Sequence, residues 1–241
     1  MNGGSVSICC FTDGLSEYAS DRALVAVDVI RATTTAITAV SMGRECYVVP
    51  TLQAALDTAS RLPNALLAGE LGGATPDGFA LTNSPAQLAA CPDVSRPLVL
   101  LSSSGTRLMC AIGPRDASYF ACFRNYSATI DHLAHNHKAV TVIGAGTHGD
   151  FREEDQMCCA WIAEGLIQYG FTPEDDVTRR LVERWRAAPY DAFVVSQSVA
   201  YLQRSGQLRD LDFILKHFDD VRTPGRVIAN RDTTRAVAIR G

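Results

Sequence analysis

The stretch Leu24-Val25-Ala26-Val27 carries no polar residue before it meets Asp28. A strand with one wet face alternates apolar and polar side chains, whereas a continuous apolar run must be covered on both faces. This constrains the fold more than any other feature, because similar runs return along the chain. Cys46 to Val49, Ala65 to Ala68, Leu98 to Leu101, Ser118 to Phe123 and Ala139 to Ile143 all read as short, largely apolar strands. Helical stretches separate them: about Ala32 to Met42, Thr51 to Arg61 with Thr51 as N-cap, a short helix after Thr106, and Ser127 to His135. Arg152 to Tyr169 is a longer helix, apolar almost all round and therefore buried. Strands alternating with helices imply a three-layer α/β/α protein with a mainly parallel or mixed sheet. Near residue 172 the chain becomes helical and charged, with one helix from Pro173 to about Arg186 and more helix from Ala192 to Arg204. Arg226 to Arg240 reads as two short strands around Asn230-Arg231-Asp232. The expected organisation is an α/β core over residues 1–171 and a helical, hairpin-ended part over 172–241 packed on it, with a single domain over 1–241 as the alternative.

Several function classes are excluded by composition. A net charge of −4 and the lack of a basic stripe give no electrostatic case for nucleic acid. No apolar run approaches the roughly 18 residues of a membrane span, and Met1 to Phe11 lacks the regions of a secretory signal. The eight cysteines include no Cys-x-x-Cys pair, and several lie in apolar runs as small buried hydrophobes of a reducing compartment do. The expected location is cytoplasmic. The oligomeric state stays open, a homodimer among the options.

In sheets of this kind ligands gather beyond the carboxyl ends of the strands. Four unusual loops fall there: Asp28 to Thr35, Gly69-Glu70, Ser102 to Thr106, and Gly144 to Asp155. The spacing Gly144-x-Gly146-x-x-Gly149 is that of a dinucleotide cradle. The helix, however, starts only after Phe151, and Asp150, Glu153, Glu154 and Asp155 would repel a pyrophosphate. Acids in a first helical turn answer the macrodipole. Three of them behind a glycine loop are better explained if a hard cation joins them.

Asp28 either caps the following helix or stands as a rigid carboxylate at a strand end. Arg31 can fork onto a phosphate or carboxylate. Thr33, Thr34 and Thr35 are poor helix formers whose hydroxyls and amides suit an anion. Glu70 has the same placement as Asp28. Ser102 to Thr106 looks like an oxyanion nest, because no Gly-x-Ser-x-Gly elbow occurs. An Asp-x-Asp pair at Asp28 and a Cys-x5-Arg loop are both absent, and the five histidines show no catalytic pairing. Carboxylates for a hard cation, with hydroxyls and an arginine for an anion, are both satisfied by a phosphate held with Mg²⁺.

Asp28-Val29-Ile30-Arg31-Ala32-Thr33-Thr34, Gly69-Glu70, Gly78-Phe79 with Asn83-Ser84-Pro85, Ser104-Gly105-Thr106 and Gly144 to Asp155 together resemble the 2-phosphosulfolactate phosphatase family. The blocks appear in family order over about residues 24–160, with a weaker similarity from Ser198 to Pro224. The resemblance implies an α/β fold and a Mg²⁺-dependent phosphatase. Its substrate would be 2-phospho-3-sulfolactate, cleaved to 3-sulfolactate and phosphate on the route to coenzyme M. Asp28, Arg31, Thr34, Glu70, Asn83, Gly105, Thr106, Glu154 and Asp155 fall on the motif positions.

On that basis Asp28, Glu70, Glu154 and Asp155 are expected as metal ligands, and Asp28, Arg31 and Glu70 as catalytic. Arg31, Thr34, Ser104, Gly105 and Thr106 are expected on the phosphoryl oxygens, and Asn83 and Arg152 on the rest of a small, phosphorylated, anionic substrate. The chain departs from the family at Ser102-Ser103-Ser104, where Thr-Thr-Asn is usual, and at Thr82, where Gly is usual. A related phospho-hydroxy acid is therefore an alternative substrate. A Mg²⁺-dependent phosphotransferase or lyase, and a binding protein for a phosphorylated metabolite, are the competing classes.

Overall fold

The computed structural model describes residues 3–11, 21–146 and 150–239. Ten strands form one sheet. They are β1 (Ser5–Cys10), β2 (Ala23–Val27), β3 (Cys46–Val49), β4 (Leu66–Gly69), β5 (Leu98–Leu101), β6 (Ser118–Ala121), β7 (Ala139–Gly144), β8 (Thr172–Pro173), β9 (Gly225–Ala229) and β10 (Thr234–Ala238). The helices are α1 (Ala32–Ser41), α2 (Leu52–Ser60), α3 (Pro85–Ala89), α4 (Gly105–Ile112), α5 (Tyr126–Asn136), α6 (Glu153–Gln168), α7 (Asp176–Trp185), α8 (Gln197–Arg204) and α9 (Leu208–Lys216).

The strand order is β4-β5-β3-β10-β9-β6-β2-β7-β1-β8. β4, β5 and β3 are mutually parallel, as are β6, β2, β7, β1 and β8. The β9–β10 hairpin sits between these groups, antiparallel to its neighbour on each side. Three antiparallel steps in succession leave the two parallel groups running in opposite directions.

A sheet twists by roughly 20–25° per strand, so the steps from β5 to β2 accumulate a large rotation. The carboxyl ends of the two groups are thereby turned toward each other over the hairpin. α1, which follows β2, packs across β10, β5 and β6, while α4, which follows β5, packs across β2, β3 and β9.

The apolar run that opened the sequence reading behaves as a doubly covered strand. Ala23, Val25 and Val27 face one core with Met157, Ile162 and Leu166 of α6, whereas Leu24 and Ala26 face the other with Ile37, Leu108 and Met109. Successive side chains point to opposite faces, so each face of β2 finds its own helical layer. α2 closes a smaller core over Val49, Val99 and Leu101. Thr51 caps α2 as expected, its side chain accepting from Ala54 N at 3.2 Å. No helix among the described residues is long and apolar enough to cross a membrane.

Some elements differ from expectation. β1, α3 and α9 were not anticipated. β6 stops at Ala121 because the next residues turn, Cys122 N donating to Asn125 Oδ1 at 3.0 Å and Asn125 N to Cys122 O at 3.2 Å. The helix expected over Ala192 to Arg204 is broken at Ser196, which ends a 3₁₀ turn (Ala192–Val195) and caps α8 through Val199 N.

The hairpin's place in the sheet depends on a close approach. Gly225 pairs with Phe120, and a Cβ there would lie 2.7 Å from both the Phe120 ring and its carbonyl oxygen. Gly225→Ala is expected to destabilise the protein by about 1–3 kcal/mol through overpacking. That corresponds to a Tm lowered by roughly 2–10 °C in a circular-dichroism melt for a chain of this size. An unchanged Tm would show that the hairpin is not pinned at this contact.

Candidate active site

Loops from both parallel groups converge, the turn after β2 meeting the start of α4 and the first turn of α6. β2 delivers Asp28 into a tight turn ahead of α1. Its amide donates to Thr33 Oγ1 at 3.0 Å, its carbonyl takes the Thr33 hydroxyl at 2.7 Å, and its Oδ1 accepts the Ala32 amide at 3.1 Å. Asp28 thus takes up the first amide of α1 although Arg31 holds the N-cap position. Oδ2 faces Gly105 at the start of α4, where any Cβ would collide with that oxygen and lie 2.6 Å from the Ala32 Cβ. Glycine is required here because α4 lies directly against a carboxylate. The Ile30–Arg31 peptide is cis.

α6 brings in two further acids. Asp155 Oδ1 accepts the Val29 amide at 2.8 Å, so the turn after β2 is tied to the first turn of α6. Glu154 is 1% exposed, and its Oε2 has no hydrogen-bond partner. Burial raises all three carboxyls. Asp28 is raised to about 7, mainly by desolvation, with Glu70 and Glu154 adding to the rise and the Ala32 amide and Arg31 opposing it. Asp155 is raised by burial and then by the charges of Asp28 and Glu154. Glu154 is raised by burial against the Ser198 and Ser196 hydroxyls, which lower it. Two buried cysteines of α6, Cys158 and Cys159, pack in the same core, their thiols pushed up by desolvation.

Glu70 ties two loops together. Its oxygens accept Ser103 N at 2.8 Å, Ser103 Oγ at 2.9 Å and Gly73 N at 2.9 Å. Thr106 and Ser102 close a compact turn, Thr106 N donating to Ser102 Oγ at 2.9 Å and Ser102 N to Thr106 Oγ1 at 2.8 Å. Ser104 makes no side-chain cap on α4. Thr34 is buried and its hydroxyl donates to Val29 O at 2.7 Å. Asn83 is 3% exposed and its Oδ1 lacks a partner.

Arg31 is buried and pairs with Asp210 of α9, with Gln207 as a second partner. Arg152 precedes α6 and donates to Gln197 of α8. Asp28, Arg31, Glu70, Gly105, Glu154 and Asp155 are therefore brought together, while the hydroxyls of Thr34 and Thr106 are committed to the backbone. Of the glycine loop, Gly144 and Gly146 are described and Gly149 lies outside the described residues. Gly146 has φ +60°, and a Cβ on it would sit 2.7 Å from Cys10 Sγ.

Sequence reasoning missed Cys10, Ser196, Ser198, Gln207 and Asp210. Asp210 carried a usable signal: it lies four residues before Ile214, and in α9 both are buried on one face.

A carboxyl held protonated in the fold destabilises the protein once it must ionise. Between the unfolded value and the raised folded value the native state binds more protons than the unfolded chain, so stability falls as pH rises. For Asp28 the window runs from 3.8 to about 7, with a loss of at most about 1.4 kcal/mol per pH unit. In chelator, Asp155→Asn, which keeps an oxygen for the Val29 amide, should gain Tm relative to the parent at pH 8 and little at pH 5. Paired melts at the two pH values check this, and an equal or lower Tm at pH 8 would remove the repulsion argument.

A family model described as 2-phosphosulpholactate phosphatase matches residues 10–221. The chain is 34% identical over 199 residues to the probable 2-phosphosulfolactate phosphatase of Deinococcus radiodurans, covering 80% of this chain and 82% of that protein. It is 31% identical over 198 residues to the probable 2-phosphosulfolactate phosphatase of Synechocystis sp., covering 78% and 82%. Against the protein of the same description from Pseudothermotoga lettingae the identity is 38% over 142 residues, spanning 59% of this chain and 61% of that one. The residues matched by the family model take in every candidate side chain named above, Asp210 included. The chain belongs to the 2-phosphosulfolactate phosphatase family, and with it to the phosphoric monoester hydrolases.

Proposed function

We propose that the protein hydrolyses a small phosphate monoester carrying further negative charge, 2-phospho-3-sulfolactate or a related phospho-hydroxy acid, to the alcohol and inorganic phosphate. The observation that carries this reading is the trio Asp28, Glu154 and Asp155, buried together with their carboxyls raised by desolvation and by one another.

Such a trio fits a hard cation. Its donors are all oxygen, and the orphaned Glu154 Oε2 points to a missing partner. Among the described residues no three His, Cys, Asp or Glu side chains enclose a metal by themselves. Mg²⁺ takes one or two protein carboxylates and completes its shell with water and substrate phosphate, so it needs only part of the trio. One or two of Asp28, Glu154 and Asp155 would hold it, and when bound it would polarise the phosphoryl oxygens.

The remaining roles fall to the chain itself. Arg31 receives a phosphoryl oxygen together with the Ser104 hydroxyl and the Gly105 amide at the start of α4. Asp28 Oδ2 is the atom to act on the phosphoryl group: it takes a proton from the water that attacks phosphorus, or attacks phosphorus itself as the P–O bond to the alcohol breaks, after which water cleaves the acyl phosphate to inorganic phosphate. Glu70 orders the 102–106 turn and adds negative charge beside the cation. Thr34 and Thr106 act at one remove by fixing the turns after β2 and β5. Asn83, with its unpartnered Oδ1, and Arg152 serve the substrate's second anionic group. Replacement of the family's asparagine by Ser104 shortens one donor, which favours a related hydroxy acid alongside phosphosulfolactate.

Phosphate release from a substrate panel tests the reading. Activity is expected to vanish in chelator and return with Mg²⁺, and full activity in metal-free buffer would defeat the metal assignment. Asp28→Asn should keep a folded spectrum and lose about 10²–10⁴-fold in kcat. A second anion on the substrate should contribute about 10- to 150-fold in affinity. kcat/KM should therefore favour phosphosulfolactate, phospholactate or phosphoglycerate over a hexose phosphate or a nucleoside monophosphate. A tenfold win for either of the last two would sink the pocket assignment.

A further inference from the structure

Asp210 is 2% exposed, a burial that a carboxylate tolerates only with strong partners. It has three. Arg31 Nη1 reaches Oδ2 at 2.6 Å, while Ser84 Oγ and Ala86 N reach Oδ1 at 2.5 and 3.2 Å. These donors come from the turn before α1 and the start of α3, so one side chain of α9 gathers both. Arg31 is itself 4% exposed and stands close enough to Asp28 to pull that carboxyl down against its burial.

The atoms used are informative. Asp210 and Gln207 both bind Arg31 through the single nitrogen Nη1. A guanidinium is planar, and its Nε–Nη2 edge is one of the two edges that fork onto an oxyanion. Anchoring Nη1 alone fixes the plane while neither Asp210 nor Gln207 occupies that edge. The pair of Arg124 with Asp220 differs: it engages the Nε–Nη2 edge itself, at 2.9 Å from each nitrogen.

We propose that Asp210 is a positioning residue for the reaction: it holds Arg31 so that the Nε–Nη2 edge meets the phosphoryl group beside Asp28. The inference rests on the phosphatase reading of the site. Gln207 shares the task from the residue just before α9. Displacement of Asp210 from Arg31 by substrate is disfavoured, because it would leave a buried carboxylate without its cation.

The test compares full-length wild type with Asp210→Asn, Gln207→Ala, Arg31→Ala and the Arg31→Ala/Asp210→Asn double variant. KM, kcat, the inhibition constant of inorganic phosphate and Tm are read for each. Asp210→Asn keeps an oxygen for Ser84 and Ala86 and puts a donor NH2 in place of Oδ2, so Arg31 loses both the charge and the acceptor that orient it. It is expected to raise KM and the phosphate inhibition constant about tenfold, on the scale of one charge-assisted hydrogen bond.

The double variant should bind phosphate no worse than Arg31→Ala, since a positioning residue has nothing left to position. Additive losses, or a lowered Tm with an unchanged inhibition constant, would make Asp210 merely structural and overturn the proposal. Tighter phosphate binding in Asp210→Asn would overturn it too, because Asp210 would then be a competitor for Arg31. If Asp210→Asn does not fold, Gln207→Ala decides by the same constant: a rise supports the proposal and no change overturns it. A wild type that releases no phosphate from any ester removes the phosphatase reading and this inference with it. An active wild type with an indifferent Asp210→Asn removes this inference alone.

Discussion

The bond from the Val29 amide to Asp155 joins the two faces of the sheet at one point. Asp28 leads into α1, which packs on one face, and Asp155 stands in the first turn of α6, which packs on the other. Held by that amide, Asp155 cannot move away from Asp28, and neither can escape to water. Burial raises the Asp155 carboxyl first, and the enforced closeness of Asp28 raises it further. A fold selected for stability alone would replace such a cluster with apolar side chains of similar volume.

The layers were legible in the sequence because burial on both faces leaves a continuous apolar run, and β2 shows both faces filled. Asp28 and Glu70 were legible because each directly follows an apolar strand, and Glu154 and Asp155 because they cluster with Glu153 behind a glycine loop. What escaped was long-range. No local pattern announces that 225–238 enters the middle of the sheet, since a short alternating hairpin reads alike at an edge or at the centre. β1 was hidden by its polar start, Ser5-Val6-Ser7.

The division of labour inside the motifs was equally invisible. Thr34 and Thr106 looked like anion donors, yet their hydroxyls bond backbone carbonyls at Val29 and Ser102. Hydroxyls at helix starts serve ligands and turns with the same chemistry, and only geometry separates the two. Asp210 shows the converse. An acid on the buried face of α9 looks like an error of amphipathicity until its partner, distant in the chain, is known.

The central hairpin also bears on how such a chain comes into being. β3 and β6 are interior strands only because β9 and β10 lie between them. Residues 225–238 follow both parallel groups in the chain, so during synthesis each group carries an unpaired edge until the hairpin emerges. Such edges invite pairing with other chains. The contacts that cover them join residues far apart in sequence, as in the pairing of Arg235 with Tyr47, and contacts of that kind form late and slowly. For this architecture, the most hazardous moment is the interval before the last hairpin arrives.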